Sequence, residues 1–151
     1  MERIRPRRAV VSDRSVKIFQ SHSGTSKIPI QKRIPIRSIW RSAECPPGAS
    51  SCPYHAHSGQ SELYLLLSGS GKFRSPTGIS ELTSGDAVYC GPGEPHQIIN
   101  DSEKDLVFYI IADNPVGESC YYPDSDKWGL PENLNGPILK GVAVGYFDGE
   151  E

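Results

Sequence analysis

Apolar residues occur along this chain in short bursts separated by glycine, proline and polar turns. Leu63–Leu67 is one such run. Ser68–Gly71 reads as a glycine turn, with Lys72–Arg74 continuing a hairpin. Pro76-Thr77-Gly78 marks another turn. Ile79–Leu82, Ala87–Cys90, Gln97–Asn100, Leu106–Ile111 and Ser119–Tyr122 follow as further strands. Upstream, Ile34–Arg41 alternates well enough to predict a strand, and Cys45-Pro46-Pro47-Gly48 a turn. Residues 1 to about 33 are polar and weakly patterned, with one short strand expected around Ser15–Gln20. Beyond Pro123 the chain is punctuated again by glycine and proline, with a last strand expected near Val142–Phe147. No segment shows a helical period. Strand and turn at this spacing predict an all-β sandwich or barrel.

The 151 residues suit one domain with a terminal arm, and bury a core without metal or disulfide support. The 15 glycines and 13 prolines fit tight turns better than long helices. No apolar run is long enough to span a bilayer. Met1–Arg8 is charged and precedes no apolar stretch, so it lacks the form of a secretory signal. An Arg- and Ser-rich start suits a transit peptide, but Glu2, Asp13 and Pro6 weigh against one. The chain therefore reads as cytoplasmic. Cys45, Cys52, Cys90 and Cys120 form no Cys-x-x-Cys pair and are expected as free thiols; Cys45 and Cys52 are the candidates to pair in an oxidising compartment.

The net charge of -2 conceals an asymmetry. Residues 1–41 carry eleven basic and two acidic residues, a net +9; residues 42–151 carry five and sixteen, a net -11. A basic arm, residues 1–33, packing on an acidic barrel formed by 34–151 with a C-terminal wrap is the simplest account. Nucleic-acid contact is disfavoured, because the basic residues are dispersed and Pro29 and Pro35 break any recognition helix. No nucleic-acid or membrane partner is expected.

Three of the four histidines fall in two segments. One runs Pro53-Tyr54-His55-Ala56-His57-Ser58-Gly59-Gln60-Ser61-Glu62, with Gly69 beyond it. His55 and His57, two apart on a strand, point to the same face, and a turn returns Glu62 alongside them. The other runs from Gly85 through Gly91-Pro92-Gly93-Glu94-Pro95-His96 to Asn100. His22 has no partner at ligand spacing and reads as a surface residue of the arm.

These segments resemble the two motifs of the cupin superfamily. His55, His57, Glu62 and Gly69 match the first motif, although its leading glycine falls one place early, at Gly48. Gly85, Gly93, His96 and Asn100 match the second, except that Gly91 stands where the motif has proline. The two together cover about residues 48–100. The resemblance implies a double-stranded β-helix, a jelly-roll-like barrel, with the three histidines and the glutamate converging on one metal. Ala112-Asp113-Asn114-Pro115, Tyr122-Pro123-Asp124 and Tyr146-Phe147-Asp148-Gly149 resemble small single-domain cupins, often labelled uncharacterised or, by analogy, sugar-phosphate isomerases.

Imidazole and carboxylate ligands suit one divalent transition metal ion: Mn, Fe, Ni or Zn. An octahedral ion on His55, His57, Glu62 and His96 keeps two positions for water, substrate or dioxygen. Tyr64 and Leu66 share the parity of Glu62 and are expected to line the cavity, where Tyr64 can orient a substrate oxygen. Leu63, Leu65 and Leu67 then face outward and require cover, from the arm or from a second subunit in a homodimer. Three functions fit these residues: a metal-dependent enzyme on a small polar substrate, either sugar-phosphate isomerase-like or an Fe-dependent dioxygenase; a non-catalytic small-molecule (sugar) binding or sensing protein; and a barrel whose metal is mainly structural.

Overall fold

A computed structural model describes residues 17–19, 38–130 and 137–150, and among these there is no helix. The strands are β1 (Lys17–Phe19), β2 (Ser38–Cys45), β3 (Ala56–His57), β4 (Glu62–Ser68), β5 (Ser70–Ser75) and β6 (Gly78–Thr83). They continue as β7 (Ala87–Cys90), β8 (Gln97–Ile99), β9 (Leu106–Asp113), β10 (Cys120–Tyr122), β11 (Lys127–Gly129) and β12 (Ile138–Leu139).

One wall of the barrel is a five-stranded sheet in the order β1-β7-β4-β9-β2. The facing wall comprises a three-stranded sheet, β6-β5-β8, and a four-stranded one, β12-β11-β10-β3. The isolated bridge His55↔His96 links these two pieces. All described pairings are antiparallel, the pattern of a double-stranded β-helix.

The alternation along β4 sets the interior. Glu62, Tyr64 and Leu66 are buried, whereas Leu65 and Leu67 are exposed and Leu63 is half-buried. The apolar core gathers Leu66, Phe73, Leu82, Val88, Ile98, Leu106 and Phe108 from both walls. Polar groups sit above this apolar plug, at the β3 end of the barrel.

Gly69 ends β4 without making the hairpin expected across residues 63–74. β4 pairs with β7 and β9, and β5 with β6 and β8, so this glycine hands the chain from one wall to the other. Its φ of +86° is left-handed, and a Cβ there would lie 2.5 Å from the Asp105 carbonyl oxygen. Sequence periodicity locates both strands but cannot say which sheet each joins.

Asn100 is fully buried and acts as a latch. Its Nδ2 donates to the carbonyls of Cys45 and Lys104, both at 2.7 Å, and its Oδ1 accepts from the N–H and hydroxyl of Ser102. This second-motif residue ties the β8–β9 loop to the end of β2; it does not reach the site.

The strand expected at Ile34–Arg41 lies further along, at Ser38–Cys45, with residues 34–37 outside the described ones. Of the 1–33 arm, Lys17–Phe19 is described and forms an edge strand on β7; the rest, including His22, lies outside. The expected strand at Val142–Phe147 is absent. Asp148 accepts the N–H of Gly145 at 2.7 Å and closes a turn there, and Val142, Val144, Tyr146 and Phe147 are exposed. The C-terminal strands are instead β11 and β12, which extend the sheet from β10. All four cysteines are free. No helix among the described residues is long and apolar enough to cross a membrane.

Candidate metal centre

His55 precedes β3 and is pinned by its backbone bridge to His96, with N–H···O distances of 3.1 and 2.8 Å. His57 ends β3, Glu62 opens β4, and His96 follows the 91–94 turn. Within that turn the Gly91 N–H donates to Glu94 Oε2 at 2.8 Å. Proline, the residue of the cupin motif, has no N–H to give. This departure from the motif is thus matched locally by Glu94.

The three rings share one arrangement. His55 Nδ1 donates to the Pro53 carbonyl at 2.9 Å, and His96 Nδ1 to the Glu94 carbonyl at 2.9 Å. His57 Nδ1 is hydrogen-bonded to the Glu118 carboxylate. Carbonyls only accept, so the Nδ1 atoms of His55 and His96 carry the protons. Assigning the His57 proton likewise to Nδ1 leaves three Nε2 lone pairs facing inward. His55 Nε2 and His57 Nε2 lie 3.1 Å apart. Glu62 Oε2 lies 3.0 Å from His96 Nε2 and 3.5 Å from His57 Nε2.

Three lone pairs and a carboxylate converging this closely repel one another unless a cation sits between them. The spacing fits one. Donors at about 2.1 Å from an ion are about 3.0 Å apart as neighbours in an octahedron and about 3.4 Å apart in a tetrahedron. His55, Glu62 and His96, all buried, each offer an atom within 4.8 Å of the others; His57 is not in that group but in a second one, with His55 and Cys120.

Tyr64 completes the inner set. Its hydroxyl donates to Glu62 Oε2 at 2.6 Å and stands 3.1 Å from His96 Nε2. Gln60 Nε2 donates to the other carboxylate oxygen, Oε1, at 3.2 Å. Burial alone would raise the Glu62 carboxyl, but in the metal-free centre, where the Nε2 atoms of His57 and His96 can carry protons toward it, those rings and the Tyr64 hydroxyl outweigh burial and hold the group well below the usual carboxylate range. Burial, with His96 beside it, brings His55 down to about 4. His57 moves the other way: burial opposes its charge, but the Glu62 and Glu118 carboxylates prevail. Burial and the Glu62 charge push Tyr64 far up, so its phenol stays protonated. Burial also raises the Cys120 thiol, to about 11.

The cavity over these groups has a volume of about 440 Å³. His55, His57, Glu62 and Tyr64 lie in its wall, with Cys52, Gln60, Cys120 and Tyr122 around them and Arg41 and Glu44 from β2 nearer the mouth. Leu66 is not part of that wall. It packs in the apolar core, a full β-repeat below Tyr64. Cys90 is likewise a core residue.

Glu118 and Gln60 escaped the sequence reading. Glu118 lies 61 residues from the ring it holds, in a loop without periodic pattern. Gln60 sits inside the first motif, where its polar type alone gives no role. Cys120 stands opposite His57 in the β3–β10 register, a pairing invisible in the sequence.

Residues 42–112 match the Cupin domain family. The Oxalate-binding protein of Thermotoga maritima is 36% identical over 66 residues, 44% of this chain and 54% of that protein. The match thus spans about half the length of that curated relative. A candidate sugar phosphate isomerase from Acidithiobacillus ferrooxidans superposes with a TM-score of 0.66 at 23% identity, over 72% of this chain and 71% of that one. A sugar phosphate isomerase from a cupin superfamily, from Silicibacter pomeroyi, gives 0.66 at 20% identity over 73% of each. At such identities the likeness is one of fold. The wall-to-wall β-helix, the two motifs and the family match agree: residues 42–112 of this chain form a Cupin domain.

Proposed function

We propose that the barrel holds one divalent transition metal ion on His55, His57, Glu62 and His96 and acts as an enzyme on a small oxygen-rich anion, with isomerase-type chemistry. The run of close donor contacts, His55–His57 at 3.1 Å, His57–Glu62 at 3.5 Å and Glu62–His96 at 3.0 Å, carries this reading. A bound ion supplies Lewis acidity, polarising a substrate carbonyl and stabilising the negative charge that develops on it.

The chain's own groups divide the remaining work. The Nδ1 hydrogen bonds of the three histidines fix their tautomers. Gln60 and Tyr64 hold the two oxygens of Glu62, so this carboxylate is committed to the centre. The buried phenol of Tyr64 stays protonated and donates to Glu62 Oε2 at 2.6 Å, fixing that oxygen beside the histidines. Among the described residues lining the cavity, Arg41 is the only lysine or arginine, and it is placed to meet a phosphate or carboxylate. Two structures of like fold are named as a sugar phosphate isomerase and a candidate one, which makes a sugar phosphate the first substrate to test.

A second reading is supported by the relative named for oxalate binding, whose match includes 36% identity over 66 residues. In that reading the same ion and Arg41 capture a small dicarboxylate without turnover. Metal-free protein loaded in turn with Mn, Fe, Ni or Zn separates the two. Proton exchange and aldose–ketose interconversion, followed by NMR, are expected with a sugar phosphate. Oxalate bound tightly, with no sugar phosphate converted, favours the second reading. Oxygen consumption with Fe(II) and substrate would instead mark a dioxygenase. Ligand affinity identical with and without metal overturns the proposal.

The outer face of the five-stranded sheet exposes Trp40, Leu65, Leu67, Tyr89 and Tyr109. It supports assembly as a homodimer, for which light scattering should give twice the chain mass; a monomer at micromolar concentration refutes it.

A further inference from the structure

Two triads of donor atoms overlap in the cavity. One is His55, Glu62 and His96, with nitrogen and oxygen donors; the other is His55, His57 and Cys120, with two nitrogens and a sulfur. In each triad the three donor atoms lie within 4.8 Å of one another. Cys120 is directly across from His57 in the register of β3 and β10, its thiol is free, and the residue lines the cavity. The triads share His55. Its Nδ1 is engaged by the Pro53 carbonyl, which leaves Nε2 as its one available lone pair. One ion at a time can use that lone pair, so the triads are alternatives and not two independent sites.

We propose that His55, His57 and Cys120 form a second, sulfur-containing metal face that receives strongly thiophilic ions such as Cd(II) or Cu(I), while oxygen-preferring ions such as Mn(II) use the face with Glu62 and His96. The reason lies in ligand softness. Thiolate stabilises polarisable ions, whereas carboxylate favours the harder ones, and imidazole serves both. When an ion binds on the sulfur face, the Cys120 S–H proton leaves to solvent as the sulfur–metal bond forms, with no change of oxidation state. The two faces meet at His55 and His57, so a small displacement of the ion within one cavity exchanges Glu62 and His96 for Cys120. The protein thereby holds ions of either class at one ion per chain but in different coordination.

This inference rests on the metal-centre reading, and the experiment separates their failures. Metal-free full-length chain is titrated with Cd(II), followed by thiolate-to-cadmium charge-transfer absorption in the ultraviolet, and with Mn(II), followed by electron paramagnetic resonance. The expected result is one ion per chain with either metal and a charge-transfer band with cadmium. Cys120→Ser should abolish the band and weaken cadmium by about tenfold or more, no less than the loss of an outer-shell partner, while manganese affinity stays unchanged. Cys52→Ser, which alters another thiol of the same cavity, should keep the band. The cadmium-113 NMR shift of the unsubstituted chain reports sulfur coordination without any variant, should Cys120→Ser fail to fold. Manganese binding with no cadmium–sulfur signal overturns the sulfur face alone, as does a band that survives Cys120→Ser or is lost in Cys52→Ser. A chain that binds neither ion overturns the metal centre as well.

Discussion

Glu118 offers the sharpest test of how the centre is held. Its carboxylate takes the Nδ1 side of His57, and the two side chains are only 13% and 15% exposed. Replacing Glu118 by Ala removes that acceptor. The His57 ring then loses the contact that directs Nε2 to its place 3.1 Å from His55 Nε2 and 3.5 Å from Glu62 Oε2. Partners of this kind, behind a metal ligand, typically matter by about 10- to 100-fold in metal affinity, or about 1.4 to 2.7 kcal/mol. Glu118 Oε2 has no hydrogen-bond partner in its buried position, so truncation also removes an unsatisfied oxygen. The metal-free fold should therefore lose little stability even as metal affinity falls. Glu118→Gln keeps an acceptor oxygen and should lie between the wild type and Glu118→Ala. Competition against a chromophoric chelator gives the affinities, and urea unfolding of the metal-free proteins gives the stabilities. Wild-type metal affinity in Glu118→Ala would refute the positioning role. A parallel loss of metal-free stability would show that Glu118 serves the fold instead.

Three further outcomes are expected. The metal-free protein should lose stability as pH falls from about 6.5 to 4: His55 titrates at about 4 when folded against an ordinary 6.5, so the unfolded chain binds its proton first, a difference of about 3 kcal/mol once complete. His57, shifted upward, contributes stability that is already full below its unfolded value and is lost only as pH rises through its folded one, so it does not offset this fall. A flat urea midpoint across that range would contradict the His55 environment. His96→Ala should abolish tight metal binding while Cys90→Ser, a change in the apolar core, leaves metal stoichiometry at one; calorimetric titration giving the reverse would shift the register of the second motif. Gly69→Ala should destabilise by about 2 kcal/mol or more, because a side chain there is strained at φ +86° and its Cβ meets the Asp105 carbonyl oxygen at 2.5 Å; an unchanged thermal midpoint would disprove that.

Much of the candidate site is local in the sequence, and that part was legible. His55 and His57 fall on one face because strand side chains alternate with a period of two, and Glu62 follows in the same motif. The buried parity of Glu62, Tyr64 and Leu66 follows from the same rule. Yet parity gives the face and not the depth. Tyr64 reaches the ligand atoms, whereas Leu66 on the same face packs in the apolar core. Strand positions were also readable, since turn residues and apolar bursts are short-range signals. Pairing was not. Gly69 looks like the turn of a hairpin, and only the partners of β4 and β5 reveal a transfer between walls.

The tail shows the limit from the other side. Val142–Phe147 has the composition of a strand, but a strand requires a neighbour to take its backbone hydrogen bonds, and the Asp148 turn takes one of them instead. Glu118 and Cys120 reach the site only because β10 is laid against β3, more than 60 residues earlier in the chain. Sequence by itself thus determined the barrel class and the four candidate donors, because both rest on residue type and spacing within a few positions. Tertiary structure alone decided what surrounds those donors: the carboxylate behind His57, the phenol at Glu62 and the thiol opposite His57. Those neighbours depend on which strands pair, and long-range pairing is fixed by the packing of the whole barrel and not by any local pattern.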